Sequence, residues 1–92
     1  MEERIKKLIE PVVNSLGYSI FNLEFVREEN HFVLRVYIDN EEHLIGINDC
    51  VNVSRGLDEI LDSKEAEFIP GPYNLEVQSP GIDRYNTDNT KE

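Results

Sequence analysis

Apolar residues change their spacing repeatedly along this chain, and the order of the changes leaves few folds open. Ile5, Leu8, Ile9, Val12, Val13 and Leu16 recur three and four residues apart, which puts them on one face of a helix. Phe21, Leu23 and Phe25 then recur every second residue, and so do Phe32, Leu34, Val36 and Ile38. That is the period of a half-buried strand. Helical spacing returns at Cys50, Val53, Leu57, Ile60 and Leu61, with Val51 and Ser54 beside them. The two-residue period comes back at Tyr73, Leu75 and Val77. The sequence therefore predicts the order α-β-β-α-β. Each element has one apolar face to hide. A two-layer α+β sandwich, with two helices on one face of a three-stranded mixed sheet, hides all of them.

Local chemistry sets the boundaries. Gly17 suits the position that ends a helix with positive φ. Pro11 lacks a donor for the carbonyl of Lys7 and clashes there. The expectation is one helix bent near residues 7 to 11, with a break into two short helices as the alternative. Arg4, Lys6 and Lys7 near its start read as a solvated face, since three charges are too few for an RNA site. Strands are expected over Ser19 to Arg27 and Phe32 to Asp39. The polar turn Glu28 to His31 joins them as an antiparallel hairpin. Asn40 to His43 is an acidic loop. Gly46 or Asn48 caps the second helix, and Asp49 suits its first turn. Gly56 inside that helix costs about 1 kcal/mol against alanine; close contact with the sheet or simple solvent exposure would explain it. Ser63 to Pro72 is a loop.

The first strand is expected in the centre of the sheet. If the second and third strands are parallel, the connection through the second helix is right-handed. The other sheet face carries Asn22, Glu24, Val26, Val33, Arg35, Tyr37, Glu76 and Gln78. It reads as polar and uncovered, with Glu24, Arg35, Tyr37 and Glu76 as its candidate partner contacts. Residues 1–85 make one domain. Asn86 to Glu92 has no apolar anchor and is expected to be a disordered tail.

Nineteen acidic against nine basic residues give a net charge of −10. This disfavours strong direct nucleic-acid binding, which needs clustered Lys and Arg. It suits a basic partner, or simply solubility. One cysteine, Cys50, allows no internal disulfide and fits a reducing compartment. The start of the chain opens no long apolar run, so neither a signal peptide nor a membrane span is expected. His31 and His43 fall in different loops and Cys50 is expected buried, which leaves no zinc spacing. Asp39 to Glu42 lacks the spacing of a calcium loop. Nucleophile and phosphate-cradling motifs are absent. No metal, cofactor or catalytic residue is expected, and the chain reads as a binding module.

The most distinctive segment closes the third strand. Ser79, Pro80 and Gly81 break the alternation and force a turn, because proline fixes one backbone angle and glycine permits positive φ. Asp83 and Arg84 follow as a charge pair on a stiff support. Arg84 suits a carboxylate or phosphate, and Asp83 suits a basic side chain. Both a partner contact and an orienting role for the chain beyond the turn fit these residues.

Tyr73 to Arg84, read Y-N-L-E-V-Q-S-P-G-I-D-R, resembles the segment that closes the N-terminal domain of the bacterial ribosome maturation factor RimP family. Leu8 to Tyr18 resembles that family's first helix and its exit. Phe32 to Asp39 resembles its second strand, Ile47 to Leu57 its second helix, and Ile69 to Tyr73 the approach to its third strand. The resemblance covers residues 5 to 84. Family members continue after D-R into a small SH3-like barrel. Here Tyr85 follows Arg84, and the expectation is a chain without that second domain, either a fragment or a shortened relative.

The resemblance implies a cytoplasmic, non-catalytic assembly factor, expected to be a monomer. Its partners would be the free small (30S) ribosomal subunit and, through acidic surface, a basic small-subunit protein such as ribosomal protein twelve. The alternative is a free-standing acidic interaction module that self-associates through a sheet edge.

Overall fold

The computed structural model describes residues 1–40, 42 and 45–79. The order is α1 (Glu2–Ser15), β1 (Ser19–Glu28), β2 (His31–Asp39), α2 (Ile47–Leu61), a short 3-10 turn (Lys64–Ala66) and β3 (Tyr73–Gln78). It is the expected α-β-β-α-β order, with two helices and a three-stranded mixed sheet.

α1 is a single helix with Pro11 inside it. Pro11 is exposed, so the missing N–H and the ring fall on the solvent side, away from the packing face. Ile5, Ile9 and Val13 are fully buried on that face. The helix ends as expected at Gly17, whose φ is +98°. The Tyr18 N–H reaches the Val13 carbonyl at 3.2 Å and the Gly17 N–H reaches Asn14 at 3.0 Å. This pair of bonds closes a helix through a left-handed residue, which glycine adopts without steric cost. Leu16, expected in the apolar stripe, is 43% exposed. It crosses toward α2, where a Cβ added at Gly56 would lie 2.8 Å from Leu16 Cδ1. Gly56 thus marks a close approach of α2 to the end of α1, not to the sheet as expected.

The sheet order is β1-β2-β3. β2 is the central strand, which corrects the expectation that β1 would be. The physical reason lies in Phe32 to Asp39. Leu34, Val36 and Ile38 are fully buried on the helix side, and Val33 is 1% exposed on the reverse face. A strand flanked on both sides is shielded by its neighbours' side chains on either face, which suits this two-sided burial. β1 pairs with β2 antiparallel, and β2 pairs with β3 in parallel. Val33, expected on an uncovered face, sits between Val26 and Asn74 in register.

A second correction concerns Phe21. The pairing runs Ile20 to Ile38 and then Asn22 to Tyr37, so one extra residue lies between them. Phe21 is that bulged residue and is 64% exposed. The extra residue reverses the alternation, and Ile20 instead of Phe21 joins Leu23 and Phe25 against the helices.

Gly46 is the N-cap of α2, and Asp49 Oδ2 accepts its N–H at 2.8 Å. Val53 and Leu57 are fully buried. Cys50 is half-buried where full burial was expected. Val51, expected beside the core, is exposed; two residues from Val53 it points about 200° around the helix. Ile45, Ala66 and Ile69 complete the core from outside the long elements. Arg4 lies 4.2 Å over the Phe68 ring, so one of the three basic residues of α1 packs onto the loop before β3.

Candidate functional site

The two helices cover one face of the sheet, and the reverse face holds a polar cluster built on Arg35. It starts from β2. Alternation places Val33, Arg35 and Tyr37 on the side away from Leu34 and Val36. Register then sets Glu24 of β1 and Glu76 of β3 directly opposite Arg35. Three strands therefore deliver a Glu–Arg–Glu row across the sheet. Opposite charges on directly paired positions attract, and each such pair supports the register.

The guanidinium uses all three nitrogens. Nε donates to Glu76 Oε1 at 2.9 Å, Nη1 to Glu24 Oε1 at 3.3 Å and Nη2 to Glu28 Oε2 at 3.2 Å. The Tyr37 hydroxyl donates to Glu24 Oε1 at 3.4 Å, and Gln78 Nε2 donates to Glu76 Oε1 at 3.2 Å. Hydrogen bonds to Glu76, then to Glu28, raise the Arg35 pKa above the ordinary arginine value, against the lowering effect of desolvation. The Arg35 side chain is 19% exposed, while the three carboxylates are 39 to 48% exposed. One cation is sunk among three anions that still face water. The cluster carries a net −2, being one positive charge against three negative ones. Chemically it is a fixed acidic platform beside the apolar pair Val26 and Val33.

All four sheet-face residues expected as contacts, Glu24, Arg35, Tyr37 and Glu76, meet in this cluster. Glu28 was missed. It was read as the first residue of the turn, yet β1 runs through it, and counting 24, 26, 28 puts it on the same face.

The exit turn is only partly described. Ser79 directly follows β3 and is 2% exposed, so the chain leaves the sheet from a buried point. Pro80, Gly81, Asp83 and Arg84, together with the tail 86–92, lie outside the described residues, as do Glu41 and His43 of the acidic loop. Among the described residues, no group of three or more His, Cys, Asp or Glu is placed to hold a metal ion. No described helix is long and apolar enough to cross a membrane.

One further polar link ties the layers together. The Tyr18 hydroxyl donates to Asp49 Oδ1, while the other oxygen of Asp49 caps α2. The bond to Asp49, reinforced by burial, pushes the Tyr18 pKa up to about 12. Asn40 Nδ2 donates to the Gly17 carbonyl at 2.8 Å, which fastens the end of β2 to the end of α1.

The family model described as the RimP N-terminal domain matches residues 8–83.

Proposed function

The chain belongs to the RimP N-terminal domain family, a family of ribosome maturation factors, and from that premise we propose that it is a non-catalytic contact module for the free small ribosomal subunit. The partner element would be a basic small-subunit protein met during assembly in the cytoplasm. The observation that carries this reading is the reverse sheet face. Glu24, Glu28 and Glu76 stay half-exposed around the single cation Arg35, within a chain of net charge −10. Carboxylates held in place by a central guanidinium lose little freedom when a basic side chain arrives. The same charges repel phosphate, so contact with protein is favoured over contact with ribosomal RNA. The turn at Ser79, Pro80, Gly81, Asp83 and Arg84 would act either as a second contact or as the device that aims whatever follows it.

The chain acts as a monomer in this reading. β1 resists edge pairing, because Glu2 Oε2 accepts the Phe25 N–H at 3.0 Å on its free side.

Sedimentation with purified small subunits tests the proposal. The expected result is co-migration at low salt that weakens at moderate salt, since exposed charges are screened over about 8–10 Å at such ionic strengths. Glu24→Gln combined with Glu76→Gln should weaken it further. No co-migration at either salt would refute the proposal.

A further inference from the structure

The two outer strands of the sheet are finished differently. On β1, Glu2 takes the Phe25 N–H, and Asn22 Oδ1 accepts the Leu23 N–H at 2.8 Å. The bulge at Phe21 interrupts the same strand. Each device discourages another strand from pairing there. β3 carries no such device among the described residues. It pairs with β2 on one side, and no described backbone or side-chain group caps its outer N–H groups.

An open groove of ≈ 420 Å3 lies between the end of α2 and the start of β3, lined by Asp58, Leu61, Asp62, Pro72, Tyr73 and Asn74 among others. Its acidic wall is the end of α2. Asp58 and Glu59 stand in the last turn and Asp62 is the cap residue, with no basic residue in that turn. A helix C-terminus carries partial negative charge and favours cations, so carboxylates there cost stability. Among the described residues no ion pair offsets them, because all three ion pairs belong to Arg35. Asp62 and Asp58, after burial, also raise the pKa of the Tyr73 hydroxyl on the groove floor. An arrangement that works against the fold's own electrostatics, beside an unguarded strand edge, is what a binding surface leaves behind.

We infer that the outer edge of β3 receives an extended basic segment of a partner protein. The segment pairs as a fourth strand, and alternate lysine or arginine side chains meet Asp58 and Asp62. Main-chain bonds supply affinity in such strand addition, and the alternating side chains supply specificity. Charge selects the occupant. A second copy of this chain brings a further −10 and is repelled. This surface lies on the helix side of the sheet, away from the Arg35 cluster, so it stands or falls separately from the function proposed above.

The test titrates the whole chain with a ten-residue peptide of alternating lysine and valine. A counterpart N-methylated at every amide keeps the charge but cannot form a ladder. Dissociation constants and amide exchange of residues 73–78 are read by NMR. The expected result is new protection on β3 and none on β1. The methylated peptide should bind at least about tenfold more weakly, from the loss of two or more backbone bonds. Asp58→Asn with Asp62→Asn should weaken binding at least about fivefold, the worth of two partly exposed charge contacts. That variant removes carboxylates from a helix C-terminus, so its melting temperature should not fall, which excludes misfolding as the cause. The inference is overturned if neither peptide binds, if both bind equally, or if the double variant binds as the parent does. It is also overturned if β3 gains protection with rising protein concentration alone, which would mean that a second copy occupies the edge.

Discussion

The two faces of β2 are built from neighbouring residues and stabilised by different physics. Leu34, Val36 and Ile38 point into the helix layer and are fully buried. Arg35 and Tyr37, one residue away in each case, point into a half-wet cluster of carboxylates. The first face is held by area removed from water and by close packing, which do not depend on salt or on direction. The second is held by charge and geometry, which are partly screened and are worth little per pair at the surface. The fold should therefore depend on one face and tolerate loss on the other, while recognition should show the reverse.

Leu34→Ala should produce the largest effect. Leu34 has no exposed area and belongs to the core cluster that includes residues of both helices. Removing its methyl groups leaves a cavity that the layer cannot close. A loss of about 2–5 kcal/mol is expected by urea denaturation, with no dependence on ionic strength. A loss below about 1 kcal/mol would show that the helix layer relaxes into the space and would break the comparison.

Arg35→Ala addresses the other face. It removes three ion pairs and leaves Glu24, Glu28 and Glu76 facing one another. Each partly exposed pair contributes at most about 1 kcal/mol, and the three share one guanidinium. A loss of about 1–2 kcal/mol is expected, shrinking as salt is raised. Equal losses at low and high salt would mean that Arg35 acts through the packing of its stem over Val33 and not through charge.

The contrast between the faces also separates what the sequence made legible from what it did not. The apolar face of β2 was legible because its alternation is unbroken from Phe32 to Ile38. The helix stop at Gly17 was legible because few residues accept its backbone angle. The meeting of Glu24, Arg35, Tyr37 and Glu76 followed from parity once the strands were assigned. Strand order was not legible from alternation, which β1 and β2 share. The one hint was a pair of valines, Val26 and Val33, on the supposedly wet face. The bulge was hidden because Ile20 and Phe21 are adjacent and both apolar, so either parity satisfies the pattern. Ile45, Ala66 and Ile69 were invisible as core residues, since a single apolar residue in a loop has no period. Glu28 was lost to a strand boundary set one residue short. At the exit turn, Ser79 alone among the expected residues is described, and its burial argues for a fixed departure point.

The smallest effect sharpens the comparison through pH. The apolar face of β2 offers nothing that titrates. On the reverse face the Arg35 pKa is raised above an already high value, so the guanidinium stays charged at any pH where the protein would normally be studied. The helix layer does hold a titrating link, Tyr18 to Asp49 at the α2 cap. The folded-state pKa of Tyr18 is about 12 against an ordinary value of 10.0, so folding favours the neutral phenol. The contribution is fully present below pH 10 and is lost as the pH rises toward 12. Tyr18→Phe should cost about 1 kcal/mol at neutral pH, the usual net worth of one part-buried hydrogen bond after solvent exchange. It should also reduce the fall in stability between pH 10 and pH 12, leaving the share of Tyr73, whose pKa is raised as well. Arg35→Ala should leave that slope in place. If the slope is unchanged in the phenylalanine variant, other groups drive it and the α2 cap is not the alkaline weak point. If Arg35→Ala removes the slope instead, the reverse face governs stability in that range, and the division of labour between the two sides of β2 is wrong.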